Sequence, residues 1–104
     1  MGLKIIITET DKSLELKIAE QLDIFNAEEL EKELFAAQKR NKAMVLDFTE
    51  LEYISSAAIR VIIMWSKELS AENKRIKCRL SRNSKVKNIF SLTGLYSVLD
   101  IEEC

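Results

Sequence analysis

The chain has 104 residues, of which 47% are hydrophobic and 32% charged, with a formal net charge of -1; that balance belongs to a globular fold rather than a disordered chain, and it supplies no global field toward nucleic acid or an anionic membrane. Histidine is absent, which excludes Ser/His/Asp and Cys/His nucleophilic catalysis, histidine general-base chemistry and imidazole-ligated zinc. The two cysteines, Cys78 and Cys104, stand too far apart for a metal knuckle or a redox CxxC pair, so neither a metal nor another cofactor is expected.

The opening Met1-Gly2-Leu3-Lys4-Ile5-Ile6 lacks the pattern of an export signal, and Ile6 stands where a myristoylation motif requires Ser or Thr. The central apolar run from Val61 to Trp65 is far short of the ~20 residues that span a bilayer. A cytoplasmic protein without membrane insertion is expected, with Cys78 a free thiol. No Pro/Gly/Ser-rich linker and no repeat interrupts residues 1–104, so one domain is expected.

In chain order, Ile5 to Thr8 and the alternating Leu14 to Ile18 flank the polar stretch Glu9 to Ser13, which predicts a hairpin of two strands. From Asn26 the period changes to three and four, through Ala27, Leu30, Leu34 and Ala37. With Glu29 three residues after Asn26, this reads as a capped amphipathic helix ending near Asn41. Ala43 to Phe48 is an apolar run closed off by Asp47, as expected of a buried central strand. After a turn over Thr49 to Tyr53, a second helix is predicted from about Ala57 to Ala71, with Ile59, Ile62, Ile63 and Leu69 facing the core. Ile76, Cys78 and Leu80 alternate with Lys77 and Arg79 to give another strand. Val86, Ile89 and Phe90 have helical spacing before Gly94, which reads as a helix terminus, and Val98 to Ile101 are expected to form a last short strand. The order is ββαβαβαβ. This is an α/β fold, a mixed sheet of four to five strands with helices packed against it.

The stretch from Val45 to Ile62, with Asp47-Phe48, Ile54-Ser55-Ser56 and Ala57-Ala58-Ile59 at its centre, resembles the signature of the STAS family, the domains named for sulfate transporters and anti-sigma factor antagonists. Two other segments agree in order and spacing: Gln21-Leu22-Asp23 before the capped helix, and Val86 to Leu95 as the last helix with its glycine. The resemblance therefore covers nearly the whole chain, and the stand-alone length is similar to that of an anti-sigma factor antagonist.

What the resemblance implies is a binding module rather than an enzyme. Ser56 takes the place of the serine that accepts phosphate from a partner that is both anti-sigma factor and serine kinase, and the unmodified form occupies that partner. Four positions depart from the family pattern: Ser55 stands for Asp, Ala57 for a frequent Ser, Ala58 for Gly, and Glu20 for the Gly before Leu22-Asp23. The alternative implied by the same resemblance is a constitutive docking subunit of a transport ATPase or stress-signalling complex.

Residue chemistry points to the same place. A helix N-terminus presents unpaired N–H groups and the positive end of the dipole, so a hydroxyl at Ser55 or Ser56 can serve as a cap or carry a phosphate. Asp23, Ser55, Ser56, Ala57, Ala58 and Trp65 make up the expected partner-binding surface, with Trp65 read, together with Val61 and Met64, as lying off the core stripe of its helix. Lys74, Arg75, Lys77, Arg79, Arg82, Lys85 and Lys87 run without an acid, but no aromatic lies among them, and a solvated face accounts for them better than a nucleic-acid surface. Asp47 with Glu50 and Glu52 is too scattered for a hydrolase or a magnesium site, and no catalytic residue is assigned.

Overall fold

The computed structural model describes residues 3–72 and 76–104. In chain order they form β1 (Leu3–Glu9), β2 (Ser13–Leu22), α1 (Ala27–Gln38), β3 (Ala43–Asp47), β4 (Leu51–Ile54), α2 (Ser56–Ala71), β5 (Lys77–Leu80), α3 (Lys87–Leu92), α4 (Leu95–Val98) and β6 (Asp100–Glu103). The sheet runs β1-β2-β3-β5-β6, antiparallel at β1/β2 and parallel elsewhere. β4 pairs with β2 in parallel beyond the end of β3.

The helices cover one face. Leu14, Leu16 and Ile18 of β2, Leu46 of β3 and Cys78 and Leu80 of β5 point into a core shared with Leu30 and Leu34 of α1 and Ile62 and Leu69 of α2. Phe48 and Phe90 meet edge to face, with ring centroids 5.4 Å apart. The other sheet face is charged. Arg79 pairs with Glu15 and lies 3.9 Å from Asp47, Lys17 pairs with Glu50, and Lys77 lies 4.0 Å from Glu102. This is the division expected when alternation sends every second residue outward.

Three elements differ from the sequence reading. The stretch predicted as a turn before Ser55 contains β4, whose burial pattern has two exposed residues between buried Leu51 and Ile54; such a strand leaves no period-2 signal. The last helix is split, because Gly94 adopts a left-handed φ of 81° between α3 and α4. Finally, α2 buries Ile59, Ile62 and Leu69 as expected, but its buried face is centred toward Trp65 and Ala58 rather than Ile63. Its buried residues are Ala58, Ile59, Ile62, Trp65, Ser66 and Leu69, while Ile63 is only half-buried. With apolar residues almost all round the first turns, only the later Trp65–Leu69 spacing could set the phase.

Candidate functional site

The C-terminal ends of β2 and β4 lie side by side, with Gln21 opposite Tyr53 and Leu22 opposite Ile54. The Ser55 N–H continues that ladder by donating to the Leu22 carbonyl at 2.7 Å. The bond holds the Asp23–Asn26 turn beside the N-terminus of α2, bringing together residues that are more than thirty positions apart in the chain.

The two serines there do different work. Ser55 is the N-cap of α2, in extended backbone conformation, and its Oγ accepts from the Ala58 N–H at 3.3 Å. Ser56 is the first helical residue and is exposed. The first turn of α2 carries no acidic residue, so added negative charge at Ser56 would meet the dipole and free amides rather than a like charge on its own helix.

Asp23 shapes the neighbouring turn. Its carboxylate accepts from the N–H groups of Phe25 and Asn26, both at 2.9 Å. Asn26 is the N-cap residue of α1, but its side chain makes no cap bond to the helix. Instead its Oδ1 accepts from the Asp23 N–H at 2.8 Å and its Nδ2 donates to the Gln21 carbonyl at 2.9 Å. The turn is thus closed by side chain to backbone bonds, and it presents Ile24, 65% exposed, and Phe25, 91% exposed, to solvent. An apolar residue just before an N-cap usually packs on the fourth helical residue. Here that is Leu30, which is buried without it.

Two expected surface residues are not on the surface. Ala58 and Trp65 are fully buried, both on the core side of α2. Trp65 is a core residue whose Nε1 has no hydrogen-bond partner, and the side of α2 that faces outward near Ser56 is formed by Arg60 and Met64 at successive four-residue steps. Ala57 is half-buried at the rim. Of the off-stripe residues of α2, Met64 is exposed as expected; sequence reasoning missed Ile24 and Phe25, for which the available signal was an apolar pair in a strand-to-helix turn that no core stripe could absorb.

The described part of the basic stretch is largely neutralised. Lys77 and Arg79 have the acidic partners given above, Lys85 lies 4.0 Å from Glu52, and Lys87 is 2.9 Å from Glu103. Lys74 and Arg75 lie outside the described residues. The Asp47 carboxylate is occupied by the Thr49 N–H and Oγ1, at 2.9 and 2.6 Å. A cleft of about 450 Å³ beyond β3 and β5 sets Lys4 and Lys85 against Glu20, Glu50 and Glu52, which leaves no net positive field for an anionic ligand. Among the described residues no cluster of three or more Cys, Asp or Glu is placed to hold a metal ion, and no helix is long and apolar enough to cross a membrane.

A STAS domain model matches residues 4–103. The chain belongs to the STAS domain family. Among curated proteins, this STAS chain is 36% identical over 78 residues to BtrV of Bordetella bronchiseptica, whose naming as an anti-sigma factor antagonist is provisional, across 73% of this chain and 66% of that protein. It is 25% identical to the anti-sigma-B factor antagonist of Staphylococcus aureus, across 99% of this chain and 95% of that protein. Among solved structures, the anti-sigma factor antagonist SpoIIAA in its unphosphorylated form shares the STAS chain's fold, with a TM-score of 0.77 at 15% identity over 99% of this chain and 88% of that one. The phosphorylated form of SpoIIAA from Bacillus gives a TM-score of 0.68 at 16% identity over 99% and 91% of the two chains.

Proposed function

We propose that this STAS protein is an anti-sigma factor antagonist of the cytoplasm, a binding module whose grip on an anti-sigma factor with serine-kinase activity is released by phosphorylation of Ser56. Anti-sigma factor antagonists are binding proteins, not enzymes. The observation that carries the reading is the division of labour at the start of α2: the Ser55 hydroxyl is turned back to cap Ala58 N–H, whereas Ser56 is exposed. Around it, Asp23 stiffens a turn that presents Ile24 and Phe25, a rigid apolar anchor of the kind that dominates affinity. Arg60 and Met64 extend the same surface along α2, and Ala57 lets a partner approach closely at its rim.

A phosphate on Ser56 adds about -1.5 to -2 charge at pH 7. The fold tolerates it, because the amides and dipole at the end of α2 favour an anion. The interface does not, because a partner fitted to a neutral hydroxyl beside exposed apolar side chains would have to desolvate a dianion. That cost corresponds to a loss of more than about a hundredfold in affinity, roughly 3 kcal/mol.

The test is incubation with the cognate kinase and ATP, mapping of the modified residue by mass spectrometry, and calorimetric titration of the partner with wild type, Ser56→Ala and Ser56→Asp. The expected result is phosphate on Ser56, with Ser56→Ala binding normally and Ser56→Asp binding weakly. Phosphate on Ser55, or on neither serine while the complex forms and Ser56→Asp binds like wild type, would refute the switch in favour of a constitutive docking subunit.

A further inference from the structure

β1 forms one edge of the sheet, and it lacks the devices that normally protect an edge. The chain contains no proline, the register with β2 runs unbroken from Leu3↔Glu20 to Glu9↔Leu14, and the strand's charges stand only toward its ends, at Lys4 and Glu9. The opposite edge, β6, is short and carries Asp100, Glu102 and Glu103. Along β1, Ile6 is 45% and Ile7 48% exposed, on opposite faces of the strand. Ile7 borders a small groove of about 80 Å³ formed with Leu14 of β2, Ala36 of α1 and Arg40 just past the end of that helix.

The backbone states which residues are free to pair. At the hairpin the Thr10 N–H donates to the Ser13 carbonyl at 2.8 Å, in the same register as the rest of the β1/β2 ladder. Because antiparallel pairs alternate, Thr8, Ile6 and Lys4 turn their backbone groups toward β2, and Leu3, Ile5, Ile7 and Glu9 turn theirs outward.

We infer that β1 is a homodimerisation edge, on which a second copy of this chain pairs its own β1 antiparallel about a two-fold axis through Ile6. The two-fold axis of an antiparallel strand pair is perpendicular to the sheet, so it keeps the helix-covered faces of both copies on one side. Opposed residues must then share a face, which restricts the axis to pass through a residue rather than between two. An axis at Ile5 would set Lys4 against Ile6, and one at Ile7 would set Ile5 against Glu9. The axis at Ile6 sets Ile5 against Ile7, Ile6 against itself and Lys4 against Thr8, with no like charges opposed and an apolar residue facing an acid only at the strand ends, where Leu3 meets Glu9. In that register the outward-turned Ile5 and Ile7 exchange both backbone bonds, and the two Ile6 side chains meet at the closer, non-hydrogen-bonded pair. β4 and the Ser56 turn lie on the other side of β2 from this edge, so dimerisation leaves them uncovered. One strand per copy makes a small interface, and the association is of the weak, concentration-dependent class.

Sedimentation velocity over a concentration series tests it, with far-UV circular dichroism as the check on folding. Wild type is expected to show a monomer–dimer equilibrium. Ile6→Lys and Ile6→Glu alone each weaken it at least tenfold, and mixing the two variants restores it, because residue 6 opposes itself only in this register. As a measurement independent of those variants, Ile6→Cys in a Cys104→Ser background cross-links on mild oxidation while Thr8→Cys in the same background does not. A wild type that stays monomeric into the millimolar range, or a dimer indifferent to both Ile6 charge variants and to the cysteine position, would overturn the inference.

Discussion

Replacing Ser55 by Asp alters one half-buried side chain at the N-cap of α2 and tests whether that helix end is as receptive to negative charge as its geometry implies. The present cap is a long one: Ser55 Oγ is 3.3 Å from the Ala58 nitrogen, against about 2.9–3.0 Å for a typical N–H···O bond. As caps, Asp and Ser are about equal. The gain therefore comes from the charge, which faces the positive end of a 16-residue helix with no acid in its first turn; such a placement contributes about 0.3–1 kcal/mol. For a chain of this size that raises Tm by roughly 2–6 °C. Ser55→Ala removes the cap and costs about 1 kcal/mol. The pH dependence follows from the sign of the shift. The carboxylate introduced by Ser55→Asp would have its folded pKa lowered by the helix end, so its contribution is present above the unfolded value of about 3.9 and is lost as pH falls through the folded value. Thermal and urea unfolding of wild type, Ser55→Asp and Ser55→Ala at pH 7 and at about pH 3 measure all of this. A Ser55→Asp protein less stable than wild type at pH 7, or one whose advantage is undiminished at about pH 3, would refute the reasoning.

Three further outcomes are expected. Glu20 sits at φ 72°, next to a register shift between β2 and β4; Glu20→Gly relieves about 1–2 kcal/mol of left-handed strain and gives back about 0.4–1 in unfolded-chain entropy. Urea midpoints should accordingly rise slightly for Glu20→Gly and fall for the β-branched Glu20→Val, and the reverse order would contradict the assigned conformation. Trp65→Ala should cost about 3–5 kcal/mol as a core truncation and Ala58→Arg should fail to fold, whereas Phe25→Ala and Met64→Ala should leave unfolding curves unchanged and weaken partner binding; a well-folded Ala58→Arg protein would show that the α2 phase is wrong. Burial raises the Cys78 thiol far above its ordinary pKa while Cys104 is exposed, so a thiol reagent should label Cys104 quickly and Cys78 only after denaturation. Equal native rates would contradict the buried face of β5.

Local periodicity alone settled the hairpin and α1: Ala27, Leu30, Leu34 and Ala37 are the four residues that α1 buries, because a two-sided helix shows its phase in its own sequence. The three STAS-like segments likewise placed Ser56 at the start of a helix and Asp23 in the turn before α1. Packing decided the rest. In α2 the first three turns are apolar on nearly every side, so the sequence was compatible with Trp65 outside or inside, and the sheet beneath it selected the phase that buries Trp65 and Ala58 and turns Met64 out. β4 exists because the end of β2 offers it a ladder beyond β3, and the hydroxyls of Ser55 and Ser56 were chemically equal until the Ser55 N–H joined Leu22 and fixed which of them faces the helix and which faces solvent. Spacing reports which residues share a face of one element; which face is buried, and which turns meet, depends on contacts between residues far apart in the chain, and those are formed only in the tertiary structure.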